Sequence, residues 1–220
     1  MATKNKGTSS NGSNGQENES KQQGPLDKFF EDQLKDIYYA EQQLLKALAE
    51  MKEACTTEEL EDAFDEHRKL TERHVKRLEK VFETIGVKPE GKKCEAMDGL
   101  IKEAKSIISD TKTGTMTRDA ALIIAAQKVE HYEIATYGGL VQLAITMGLF
   151  RAADLLEKTL VEEETTDKAL TYIAETCINF EAEREENDRR SNTSKSKSKS
   201  DSESNSEDEE SVMPMSASTF

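Results

Sequence analysis

A proline-free run rich in alanine and isoleucine, closing at Met147, sets the terms on which this chain can fold. At a period of 3.6 residues, Ile123, Gln127, Glu130, Ile134, Tyr137 and Val141 fall on one stripe of the helix it predicts. Such a stripe is where apolar side chains belong, and Glu130 sits in the middle of it. An ionised carboxylate moved alone out of water is strongly disfavoured, so a glutamate here has to be paired, protonated or bound to a cation. The question for the remaining sequence is whether other helices bring matching groups to the same depth.

Three further segments show long helical stripes with polar intruders. The first runs from Leu26 to Lys52 and aligns Phe30, Leu34, Ile37, Tyr38, Glu41, Leu44, Leu45 and Leu48. The second opens at Thr56, which with Glu59 reads as a capping box, and ends at Gly86. Its stripe holds Leu60, Phe64, His67, Leu70, Thr71, His74, Leu78, Val81, Phe82 and Ile85, so two histidines and a threonine occupy core positions. The last runs from about Arg151 to beyond Phe180, with Leu156, Leu160, Glu163, Asp167, Leu170 and Ala174 in a row. In the Ala/Ile-rich helix, Thr117 reads as the cap and Gly148 as the end. The pair Gly138-Gly139 reads as a close approach to a neighbouring backbone.

A shorter helix, about Glu95 to Ser109, is too brief to be a full member and is expected to cross the bundle end or flank. Four long helices joined pairwise by short turns, with one crossover, predict an all-α antiparallel four-helix bundle. Composition divides the chain into a polar leader over 1–24, the bundle over 25–184, and a Ser/Lys/acidic tail over 185–220, both ends expected to be disordered.

The net charge of -14 argues against general affinity for nucleic acid or anionic membrane, both of which want basic patches. Cys55, Cys94 and Cys177 lack a CxxC spacing and no secretory leader precedes them, so reduced thiols in a cytoplasm are expected. No apolar run approaches the roughly 20 residues that span a bilayer.

Both helices of a hairpin rise about 1.5 Å per residue. Counting outward from a turn near Ala54 puts Glu41 level with His67, with Thr71 one turn further. Counting from Gly148 puts Glu130 level with Thr166, between Glu163 and Asp167. Each hairpin thus sets a buried glutamate opposite buried polar residues. Carboxylates gathered in a dry interior repel one another unless a proton or cation lies between them, and hard metals of the iron and manganese type suit carboxylate plus imidazole.

Several strings then acquire a common meaning. Tyr39-Ala40-Glu41-Gln42-Gln43-Leu44, Cys94-Glu95-Ala96-Met97, Gln127-Lys128-Val129-Glu130-His131-Tyr132-Glu133 and Glu162-Glu163-Glu164-Thr165-Thr166-Asp167 resemble the YciF-like bacterial stress proteins of the ferritin-like superfamily, over about Leu26 to Glu181. The resemblance implies a ferritin-like bundle, a homodimer and a link to general stress responses, with no reaction firmly assigned. Ferritin-like di-iron proteins carry Glu on the first and third long helices, which Glu41 and Glu130 match. They carry Glu-x-x-His on the second and fourth. Here the second helix offers Thr71-x-x-His74, and the last offers Glu164-x-x-Asp167. The family pattern places Glu before the threonine, where this chain has Leu70.

Two functions stay open. In one, two iron or manganese ions react with peroxide or dioxygen: Glu41 and Glu130 bridge, His67, Glu163 and Asp167 are terminal ligands, Glu133 completes the site, and Thr71 and His74 stand behind it. In the other, a non-catalytic dimeric stress protein keeps the polar layer only as a hydrogen-bonded network. For each of Glu41 and Glu130 the plain alternative is a carboxylate hydrogen-bonded to His67 or Tyr38, or paired with a lysine.

Overall fold

Helix boundaries follow from local chemistry where the chain is left to itself. A computed structural model describes residues 23–185; the expected leader and tail lie outside them but for Gln23, Gly24 and Glu185. Helix α1 spans Pro25–Ala54, beginning at a residue with no N–H to leave unpaired, and Asp27 accepts the Gly24 N–H at 2.8 Å. Helix α2 spans Glu58–Thr84, α3 Glu95–Asp110, α4 Met116–Thr146 and α5 Phe150–Ile173. A π-helical turn at Ala174–Ile178 interrupts the last helix, which then continues to residue 185. There is no strand among the described residues, and none of their helices is long and apolar enough to cross a membrane.

Two of the expected caps are displaced, the first by a tertiary contact. Thr57, not Thr56, starts α2, and its side chain makes no cap to its own helix. The buried Asp119 carboxylate of α4 instead accepts the Thr56 N–H at 2.8 Å, the Thr57 N–H at 2.9 Å and the Thr57 hydroxyl at 2.8 Å. A charged acceptor for three donors outcompetes a local hydroxyl. For α4 the cap is Thr115 rather than Thr117; its hydroxyl accepts the Arg118 N–H. Gly86 and Gly148 end their helices at φ values of 71° and 72°, which a side chain would make costly.

The long helices form a ring in which α1 packs on α2 and α4, and α5 packs on α2 and α4. The Asp119 contacts put the start of α4 beside the α1–α2 turn. Adjacent helices in the ring therefore run antiparallel, and the connection carrying α3 is the crossover. Helix α3 lies on the flank, against α1 and α4. Phe30, Leu34, Phe64, Leu78, Phe82, Leu122, Leu140 and Leu156 fill the layers above and below the polar one.

The expected close approach at Gly138-Gly139 does not occur. Gly138 is half-buried, Gly139 is exposed, and a Cβ on either would meet nothing within 4 Å. Glycine in a helix interior carries excess backbone entropy in the unfolded chain without a compensating contact. Replacing Gly139 by Ala should therefore stabilise the fold by roughly 0.5–1 kcal/mol, read as a raised urea midpoint at constant slope.

Candidate functional site

Four helices each turn charged or polar side chains into one layer. Helix α1 supplies Glu41; α2 supplies His67, Thr71 and His74; α4 supplies Glu130, Glu133 and Tyr137; α5 supplies Glu163. All four glutamates are 0% exposed and the two histidines no more than 2%. They form two groups that share Glu163: His67, Glu130, Glu133 and Glu163 in one, Glu41, His74 and Glu163 in the other. Within each, one ligand atom per residue lies within 4.8 Å of the others.

The layer is not a satisfied hydrogen-bond network. Every buried side-chain N or O without a hydrogen-bond partner among the described residues belongs to Glu41, His67, His74, Glu130, Glu133 or Glu163. Close approaches exist, with His67 Nδ1 3.1 Å from Glu130 Oε1 and His74 Nδ1 2.9 Å from Glu163 Oε1. Neither pair has hydrogen-bond alignment. Unpartnered groups of this kind are costly unless something occupies the space they face.

The surroundings orient individual groups. The His74 Nε2 lies 2.7 Å from Glu162 Oε2, and the Arg77 guanidinium holds Glu162 through bonds of 2.9 and 3.0 Å. Nε2 is thereby committed to donating outward, and Nδ1 faces Glu163 and, at 3.6 Å, Glu41 Oε1. Burial disfavours a second proton on this ring, yet Glu163 and Glu41 outweigh it and push the pKa up to about 10. Burial, helped by the charge of His74, pulls His67 down to about 3. Burial and then the neighbouring carboxylates hold Glu130 and Glu133 well above the usual carboxylate range. Tyr137 donates a hydrogen bond to Glu41 Oε1, leaving Oε2 without a partner. The Thr71 hydroxyl donates to the His67 carbonyl at 3.1 Å.

Two placements differ from the sequence reading. His74 lies inside the layer rather than behind it. Side chains of a helix tilt toward its N-terminus, so in an antiparallel pair the tips shift in opposite senses and Glu41 meets a residue further from the turn than the equal-count partner. Asp167 shares a face with Glu163 but lies outside the layer, its Oδ1 accepting from Gln127 Nε2 at 3.1 Å. Leu70 is half-buried, so α2 brings imidazoles and no carboxylate to the layer. Neither the contact of Tyr137 with Glu41 nor the Arg77–Glu162 brace is legible in the sequence. The only signal for Tyr137 is its place seven residues after Glu130 on the same stripe.

The domain of unknown function DUF892 matches residues 25–183. Protein YciF of Escherichia coli strain K12 is 47% identical over 151 residues, covering 68% of this chain and 90% of that protein. The crystal structure of the E. coli stress protein YciF superposes with a TM-score of 0.67 at 45% identity, covering 70% of this chain and 97% of that one. YcfI of Rhodopseudomonas palustris superposes with a TM-score of 0.66 at 38% identity, over 69% and 96%. This chain belongs to the DUF892 family and, within it, to the YciF-like stress proteins.

Proposed function

We propose that the polar layer is a dinuclear metal centre of ferritin-like type that holds two iron or manganese ions and serves peroxide or dioxygen chemistry during stress. The observation that carries this reading is the concentration of all unpartnered buried polar atoms among the described residues on six potential ligands. Four carboxylates balance two divalent ions in charge, and neutral imidazoles complete the donor set those metals prefer. Glu163, common to both groups, would lie between the ions. Glu41 and His74 would hold one ion, and His67, Glu130 and Glu133 the other.

When bound, the ions supply Lewis acidity and, for redox-active metals, electrons to an oxygen-containing substrate. The chain's own residues do the rest. Arg77 and Glu162 fix the His74 tautomer, as partners of metal-bound histidines generally do. Tyr137 fixes the rotamer of Glu41, and the surrounding apolar layers exclude water. Leu70, standing where the family pattern has Glu, leaves α2 without a carboxylate in the layer and favours the second reading, a dimeric non-catalytic stress protein. One measurement separates them. Chelator-treated protein titrated anaerobically with Fe²⁺ or Mn²⁺ should take up two ions per chain and then consume peroxide; no bound metal under iron-replete conditions would leave the helical-scaffold reading.

A further inference from the structure

A centre enclosed on all sides needs a way in. The four glutamates are 0% exposed, so an ion has to pass between helices. Between α2 and α5 the wall is closed by Arg77, whose positive charge sits on Glu162 and opposes a cation. Between α1, α3 and α4 it is closed by Tyr132, whose hydroxyl donates to Asp36 at 2.9 Å and lies 3.1 Å from the Cys94 thiol.

The α4–α5 seam is built differently. Gln127 lies one turn before Glu130 on α4, and Asp167 one turn after Glu163 on α5. The Gln127 amide bridges the seam, donating to Asp167 at 3.1 Å and to the Thr171 hydroxyl at 2.8 Å. The Asp167 side chain is 20% exposed, and the exposed His131 imidazole stands 3.5 Å from it. A carboxylate open to water therefore sits one helical turn, about 5.4 Å, from buried glutamates whose oxygens have no partner.

We propose that Asp167, with His131 at its rim, is the capture site through which divalent cations reach the buried layer, and that Gln127 is the latch. The proposal rests on the dinuclear reading above. A cation attracted from solvent displaces the amide of Gln127 from Asp167, then moves one turn inward to Glu130 and Glu163, where ligand number and burial hold it. Asp167 then returns to Gln127. It acts on the rate of loading and not on the number of ions held, because it is not part of either ligand group.

The test is the rate of Co²⁺ uptake by the metal-free, full-length protein, followed as loss of free Co²⁺ from a metal indicator after rapid mixing. D167N is expected to bind the same number of ions as the wild type but about fivefold more slowly, and D167K more slowly still. E157Q removes the same charge from an exposed position on α5 and should load at the wild-type rate. Equal rates for D167N and wild type overturn the proposal while leaving the centre intact. Loss of an ion from D167N at equilibrium also overturns it, making Asp167 a ligand. A wild type that takes up no Co²⁺ removes the centre and its access site together. Should D167N fail to fold, H131A, altered at a side chain 71% exposed, decides by the same rate: about a twofold slowing is expected, and none overturns the proposal.

Discussion

Glu163→Gln should empty both halves of the layer, because Glu163 alone belongs to both ligand groups. A glutamine oxygen is a weaker, uncharged donor and its amide nitrogen presents protons to any cation. Loss of one shared charge also leaves three carboxylates to balance two divalent ions, which weakens binding of whichever ion remains. The expected result is a fall from two ions per chain to none at concentrations that saturate the wild type. The accompanying stability effect is large. Ligand at a thousandfold excess over its Kd stabilises a folded protein by about 4 kcal/mol per site, or about 10 °C in melting temperature for a domain of this size. With two sites filled, wild type should therefore show a gap of about 8 kcal/mol, or roughly 20 °C, between metal-loaded and chelated samples, and Glu163→Gln should show none. The chelated samples of the two should melt close together, because the substitution removes one source of repulsion along with the His74 contact. A gap that persists in Glu163→Gln would sink the shared-ligand assignment.

The physics of the polar layer was legible where it depends on a single helix. A carboxylate on an apolar stripe announces itself, and Glu41, Glu130 and Glu163 are all buried to 0% exposure. Depth along the bundle was legible only within a hairpin, and only to about two turns. Level-counting places His74 behind the layer because it treats side chains as perpendicular to the helix, whereas their tilt carries Glu41 toward it. Face-sharing with Glu163 alone would place Asp167 inside. The Gln127 hydrogen bond that holds it in the next layer crosses the seam between two helices. The Arg77–Glu162 brace joins α2 to α5, which are not consecutive, so no spacing in the chain reports it. The same limit hid Asp119, an acid on α4 that secures the start of α2. Local cap signals lose whenever such a tertiary partner arrives.

The metal-free protein should lose stability as pH rises, and bound metal should abolish that loss. His74 has its folded pKa raised from 6.5 to about 10, so its contribution is fully present below pH 6.5 and is lost between 6.5 and 10. Glu130 and Glu133 are raised by burial and then by neighbouring carboxylates, so they too bind protons in the folded state that the unfolded chain has released. Their contribution falls away as pH climbs above 4.5. His67 has the opposite sign. Its folded pKa of about 3 makes the unfolded chain the better proton acceptor between 3 and 6.5, so stability from this group rises with pH there and is level above. Above pH 6.5 every remaining contribution points downward. Each proton held only by the folded state gives a slope of about 1.4 kcal/mol per pH unit. Urea unfolding of the chelated protein at pH 6.5 and 8.5 should then differ by at least about 2–3 kcal/mol, with the less stable sample at the higher pH. Metal binding requires those same groups deprotonated and replaces protons by cations, so the loaded protein should be level or more stable at pH 8.5. A chelated protein whose stability is flat across that window would mean that the layer holds neither protons nor the repulsion that metal is proposed to relieve.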